Sequence, residues 1–190
     1  MEDIKVQIPK KVFNTAYLPL LDCASRYMIL YGGAGSGKSY FAAQRYIYRM
    51  MREPGVNILV VRATGNSNRD STFALFKQII SAWGVGSLFS ITDTDMRITC
   101  ANGSGAIFKG LDDTEKLKSI TFPQGDLTDV WIEEATETLE ADFNQLNLRL
   151  RGRSGRKQIV ISFNPVDINH WLKKRFFDRA DKDTTVLRTT

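Results

Sequence analysis

Eight consecutive residues, Gly32-Gly33-Ala34-Gly35-Ser36-Gly37-Lys38-Ser39, carry the densest chemical signal in the chain. They satisfy the spacing G-x-x-x-x-G-K-[ST], whose glycines let several main-chain N–H groups turn inward on an oligophosphate. A helix starting within such a loop adds unpaired N–H donors and a partial positive charge. On this reading Lys38 reaches the β- and γ-phosphates of ATP, and the Ser39 hydroxyl binds Mg²⁺. The alternative is an ordinary glycine-rich turn. An apolar run before the loop and a helical pattern after it, the context the motif requires, favour the nucleotide.

A loop that grips a triphosphate still needs a group to ready a water. Val130-Trp131-Ile132-Glu133-Glu134 is an apolar run ending in two successive carboxylates, which a parallel sheet places at its C-terminal edge, where ligands gather. Successive residues on a strand face opposite ways, so the pair can divide the work. Glu133 is the expected Mg²⁺ ligand, acting through water, and Glu134 the general base. The metal position usually carries Asp, so Glu133 is a departure. Alone, Glu133, Glu134 and Glu137 would read equally well as an acidic helix start. The upstream phosphate loop decides for catalysis. Ile159–Pro165 is a further apolar run with a polar end, where the Asn164 amide could contact the γ-phosphate or merely make an Asn-Pro turn.

These residues need a scaffold. Short apolar runs alternate with helical stretches, which predicts an α/β fold: a P-loop NTPase core, its largely parallel central sheet flanked by helices. Strands are expected at Tyr27–Tyr31, Asn57–Val61, Val130–Ile132 and Gln158–Ser162, with another beginning at Thr185. Helices are expected at Lys38–Met51, at Thr72–Trp83 with Ser71 as cap, at Leu139–Leu150 and near Ile168–Phe177. Phe89–Thr92, Arg97–Cys100 and Ala106–Lys109 read as an antiparallel meander inserted between parallel strands. Residues 1–190 form one expected domain, with 1–25 as an N-terminal arm. The stop inside the last strand suggests a domain cut from something longer.

Composition sets the outer bounds. Of 190 residues, 43% are hydrophobic and 25% charged, which suits a globular core and excludes disorder. No apolar run is long enough to span a bilayer, and the N-terminus lacks a secretory pattern. Cys23 and Cys100 stand far apart without metal-like spacing, which fits a reducing cytosol. The net charge of +5 is concentrated, because ten basic residues stand against four acidic ones between Ala141 and Lys182. That suits a phosphate-rich partner, although a solvated basic face would look the same.

Taken together, Gly32–Ser39, Glu133-Glu134 and Ser162-Phe163-Asn164-Pro165 resemble the ATPase domain of tailed-phage terminase large subunits. So do Asp112-Asp113 through Glu115-Lys116-Leu117-Lys118-Ser119, Arg149-Leu150-Arg151-Gly152 and His170-Trp171-Leu172, in order from about Phe13 onward. The resemblance implies a motor that pumps double-stranded viral DNA into a procapsid. It further implies a homo-oligomeric ring on a portal, a small terminase subunit as partner, the host cytoplasm as location and no membrane. A nuclease domain would follow the ATPase in such proteins and is not expected within these residues. Asn14 and Tyr17 match the region that contacts adenine, where simple packing of the arm is an equal alternative. Ser162–Pro165 matches the motif coupling hydrolysis to movement. Many relatives carry an arginine inside the phosphate loop, whereas this chain has Gly33-Ala34-Gly35. A charge-stabilising arginine must then come from elsewhere, and Arg149, Arg151 and Arg153 are candidates, equally readable as DNA contacts or solvated surface. Competing functions are a helicase-like DNA-stimulated ATPase and a non-motor nucleotide-binding module.

Overall fold

The apolar runs become the inner strands of a single sheet because each is buried on both faces, as parallel strands covered by helices must be. The computed structural model describes residues 6–112, 117, 120–150, 155–165, 167–179 and 182–189. In chain order the elements are β1 (Tyr27–Gly32), α1 (Lys38–Arg52), β2 (Asn57–Arg62), α2 (Gly65–Asn68), α3 (Ala74–Ala82), β3 (Phe89–Thr92), β4 (Arg97–Cys100), β5 (Gly105–Gly110), β6 (Asp129–Glu133), α4 (Glu140–Arg149), β7 (Gln158–Phe163), α5 (Trp171–Phe176) and β8 (Thr184–Thr189). The sheet order is β3-β4-β5-β2-β6-β7-β1-β8. The run from β5 to β8 is parallel throughout, which is the α/β architecture expected.

Alternation along the strands divides the core into two layers. Met28, Leu30, Ile58, Val60, Trp131 and Val160 point to one face and pack with Phe41, Tyr46, Phe76 and Ile79 of α1 and α3. Tyr27, Ile29, Leu59, Val61, Ile132 and Ile161 point to the other and meet Phe143, Leu146, Leu172 and Phe176 of α4 and α5. The helices thus clamp the sheet from both sides and leave its C-terminal edge to the loops.

The antiparallel hairpin or meander is present between parallel strands in chain order, and two other local expectations are revised. In space β3 and β4 extend the edge, and β5 is antiparallel to β4 but parallel to β2. Ser71 does not cap a helix, because the helical path begins at Gly65 and continues through a π-helical turn, Arg69–Phe73, into α3. The Thr64 hydroxyl accepts from Ser67 N–H at 3.2 Å and supplies the cap. Asn68 secures this polar start by donating to Val60 O at 2.9 Å and Lys109 O at 2.8 Å, a tertiary contact without any periodic signature. The last helix begins at Trp171 rather than Ile168, since Asp167 accepts from Asn169 N–H at 2.7 Å and His170 Nδ1 accepts from Leu172 N–H at 3.3 Å. His170 is thus a cap, beside Trp171. No helix among the described residues is long and apolar enough to cross a membrane.

Candidate nucleotide site

The loop between β1 and α1 curls over the C-terminal edge of the sheet. Gly35 and Gly37 have φ of 76° and 86°, the left-handed region that a Cβ disfavours. Gly37 is the N-cap of α1, and the helix ladder starts with Phe41 N–H on Gly37 O at 2.9 Å. Gly33, Ala34 and Gly35 are exposed at the mouth.

Lys38 lies inside this curl, 7% exposed. Its ammonium donates to Gly32 O at 2.9 Å, Gly33 O at 2.8 Å and Ser36 Oγ at 3.2 Å. It also donates to Asn164 Oδ1 at 3.1 Å, so the end of β7 reaches the loop lysine directly. Among the described residues Lys38 makes no ion pair; neutral oxygens hold its charge at the place where a phosphate would sit. Such contacts are weaker than those to an anion, so the ammonium is held ready to be recruited.

Only Glu133 lies on β6, so the turn at Glu134, rather than strand alternation, separates the two carboxylates. Glu133 is buried, and its two oxygens accept from the hydroxyls of Ser39 and Ser162, the second of which is its register partner on β7. Trp131 Nε1–H donates to Ser162 Oγ at 2.7 Å, tying the arrangement to the core. Burial pushes the Glu133 carboxyl above the ordinary glutamate range; hydrogen bonds from Ser162 and Ser39 oppose this, and the adjacent Glu134 charge adds to it. Glu134 ends the strand in a left-handed turn with φ 49° and ψ 52°. A non-glycine residue held there is strained, as often occurs where a side chain must be aimed. Its partly exposed carboxylate carries no hydrogen bond among the described residues.

The remaining candidates separate. Tyr17 is fully buried, stacked on Phe41 at 4.6 Å, with its hydroxyl on Ser36 O at 2.9 Å. A ring with no accessible surface fits the alternative, packing of the arm: Tyr17 braces the phosphate loop from behind. Asn14 is exposed and caps the turn Thr15–Leu20, accepting from Ala16 N–H at 3.0 Å. Arg149 ends α4 at the opposite edge of the sheet. Nearby Asn147 accepts from Arg26 at 2.7 Å and from Tyr27 OH at 3.2 Å, both at the start of β1. One strand length, roughly 20 Å, therefore separates Arg149 from the loop of its own chain. Arg151 and Arg153 lie outside the described residues, as do Asp113, Glu115, Lys116, Lys118 and Ser119.

Sequence reasoning missed Arg62. It ends β2, the strand beside β6, and donates to Ser71 Oγ at 3.2 Å while pairing with Glu137 at 3.3 Å. Its charge acts on Glu133 in the lowering direction. The available signal was a basic residue closing the run Asn57–Val61.

Comparisons with known proteins point one way. A family model described as phage terminase large subunit matches residues 24–190. A "PBSX phage terminase large subunit" of Bacillus subtilis (strain 168) is 34% identical over 161 residues, covering 85% of this chain and 36% of that protein. The large terminase subunit of Bacillus phage SPP1 is 36% identical over 110 residues, covering 57% of this chain and 26% of the relative. The chain therefore spans about a third of these relatives' length or less. Among solved structures, the large terminase of a thermophilic bacteriophage in complex with ADP superimposes with a TM-score of 0.75 at 19% identity, over 94% of this chain and 45% of that one. The Thermus phage P74-26 large terminase ATPase domain gives 0.71 at 13% identity, over 92% and 80% respectively. At such identities the superpositions establish the fold, a P-loop type α/β domain.

Proposed function

Because the chain belongs to the phage terminase large subunit family, we propose that it hydrolyses ATP to drive double-stranded viral DNA into a procapsid. One observation carries the reading: Lys38 and Asn164 meet at 3.1 Å in the same mouth where Ser39 meets Glu133. Separate elements thereby bring a phosphate cradle, a buried carboxylate and a polar strand end together. The thermophilic-phage large terminase of the same fold has been seen with ADP and with ATP-γ-S, which supports nucleotide binding here.

Main-chain amides of Gly33–Ser39 receive the phosphates. The Lys38 ammonium exchanges its carbonyl partners for β- and γ-phosphate oxygens, a stronger pairing in this shielded position. Asn164, released from Lys38, becomes free to contact the terminal phosphate. Glu134 accepts a proton from the attacking water, its strained turn fixing the approach. Asn14, exposed on the arm, is the base-side contact.

The donor set fits Mg²⁺. Ser39 Oγ and the Glu133 carboxylate are hard oxygen donors, and Glu133 makes no ion pair among the described residues. Ser39 directly and Glu133 through water would suit a cation that surrenders its hydration reluctantly. When bound it would neutralise charge on the phosphates.

With no arginine in the loop and Arg149 at the far edge, further charge stabilisation comes from a neighbouring subunit in a ring on a portal. Arg149, Arg151 and Arg153 are the candidates for that contact or for DNA. The small terminase subunit and the host cytoplasm complete the setting. The test is ATP turnover against protein concentration, with and without duplex DNA. The reading requires turnover per chain to rise with concentration and with DNA. Fast turnover when dilute and indifferent to DNA would overturn it.

A further inference from the structure

Strand β8 is an edge strand with one anomaly. Its residues are exposed or half-buried until the last, Thr189, which is 8% exposed although it is polar. In register it sits opposite Gly32, the first residue of the phosphate loop. The approach is so close that a Cβ on Gly32 would lie 2.0 Å from Thr189 O and 2.5 Å from its Oγ1. No residue but glycine fits there, and the end of β8 is pressed against the loop.

The contact is also chemical. Thr189 Oγ1 donates to Ser36 Oγ at 2.9 Å and lies 3.4 Å from Tyr31 O. Ser36 Oγ also accepts from Lys38 at 3.2 Å, while Ser36 O accepts from the Tyr17 hydroxyl at 2.9 Å. The residue just before Gly37-Lys38 is thus held from three directions. Two of the three holders, Tyr17 and Thr189, lie outside the motif, one in the N-terminal arm and one at the end of the sheet.

When Lys38 turns toward a phosphate it gives up Ser36 Oγ, and the outer two contacts must then keep the loop in shape. We propose that Thr189 is a positioning residue for the phosphate loop, its hydroxyl fixing Ser36 so that the cradle is formed before the nucleotide arrives. This rests on the reading that Gly32–Ser39 takes a nucleotide. A preformed cradle loses less freedom on binding, so the effect falls on affinity rather than on the chemical step.

The experiment compares Thr189→Val, which keeps the branched shape without the hydroxyl, with Thr189→Ser, which keeps the hydroxyl. ADP affinity is measured by calorimetry, and KM and kcat for ATP by phosphate release. Loss of one hydrogen bond predicts a Kd and KM about three- to tenfold higher for Thr189→Val, with kcat within about twofold. Thr189→Ser returns both to near the wild-type values. Ser36→Ala reads the same bond from the loop side; it gives a similar loss, and combining it with Thr189→Val adds little further. Wild-type affinity in Thr189→Val or in Ser36→Ala overturns the positioning role while leaving the nucleotide reading intact. Failure of the unaltered chain to bind ADP overturns both.

Discussion

The two edges of the central sheet both bury charge, and they treat it in opposite ways. At the N-terminal edge Arg49 pairs with fully buried Asp129 at 2.6 Å, and Thr128 Oγ1 donates to the same carboxylate at 2.8 Å. Arg45 is also fully buried; it donates to Leu20 O, Leu21 O and Cys23 O, and burial pulls it down to about 10. Gln158 ties Cys23 O and Ser25 O to β7 at 3.1 and 2.7 Å. At the C-terminal edge the ammonium of Lys38 faces neutral oxygens, and the carboxylate of Glu133 faces hydroxyls. One edge pairs Arg49 with Asp129, holds Arg45 on the carbonyls of the arm, and so locks the arm to the sheet. The other keeps charges of both signs apart in neutral company, the arrangement that a magnesium triphosphate would complete. On the proposed function, charge at the first edge serves the fold, and at the second it serves binding at a cost in stability.

The contrast predicts that substitutions at the two edges separate activity from stability. The largest effect is expected at Glu134. Glu134→Gln should lower ATP turnover by about 10²–10⁴-fold while leaving ADP affinity nearly unchanged, whereas Lys38→Ala should abolish binding in calorimetry. Turnover near the wild-type rate in Glu134→Gln would remove the base from the mechanism.

Asp129→Ala should do the reverse. Arg49 would keep only the partly exposed Glu53 at 3.3 Å, so loss of its fully buried partner costs about 3 kcal/mol, seen as a melting temperature lower by about 10 °C. The protein that remains folded should bind ADP within about twofold of wild type. A melting temperature that did not move would mean this edge is not the structural one.

Glu133→Gln should be smaller and of opposite sign. Burial raises the Glu133 carboxyl, so the folded chain holds its proton to higher pH than the unfolded chain does. The associated stability is complete below the ordinary glutamate range and is lost as pH rises through the raised value. In Mg²⁺-free buffer at neutral pH the amide should therefore stabilise by about 1 kcal/mol and flatten that slope, with turnover lost. A destabilised Glu133→Gln would count against the contrast. Smallest is Thr64→Ala, whose hydroxyl meets Ser67 and neither charge set, where loss of the cap should shift the unfolding free energy by about 1 kcal/mol without altering turnover.

Much of the site was legible because its parts are local. The phosphate loop is contiguous, and Glu133-Glu134 closes a recognisable strand, so spacing and order sufficed. Tyr17 was left between two readings and Arg62 was missed for a common reason: what they touch lies on another element. Tyr17 serves Ser36 across 19 residues, and Arg62 meets Glu137 across 75. Polar Gly65–Asn68 fell outside the expected elements because its helical support comes from Asn68 reaching Val60 and Lys109.

Residue type and order by themselves determined the parallel α/β class and placed the Gly32–Ser39 loop and the Glu133-Glu134 pair at strand ends, since each depends on backbone preferences and hydrophobic periodicity over short stretches. Only the tertiary structure decided which oxygens hold Lys38, that Ser162 shares the Glu133 carboxylate, that Arg149 sits a strand length from the loop and that β8 ends against Ser36. Those facts depend on strand order and register. Trp131 finds Ser162 across 31 residues and Thr189 finds Ser36 across 153, pairings that are set by packing the whole sheet at once.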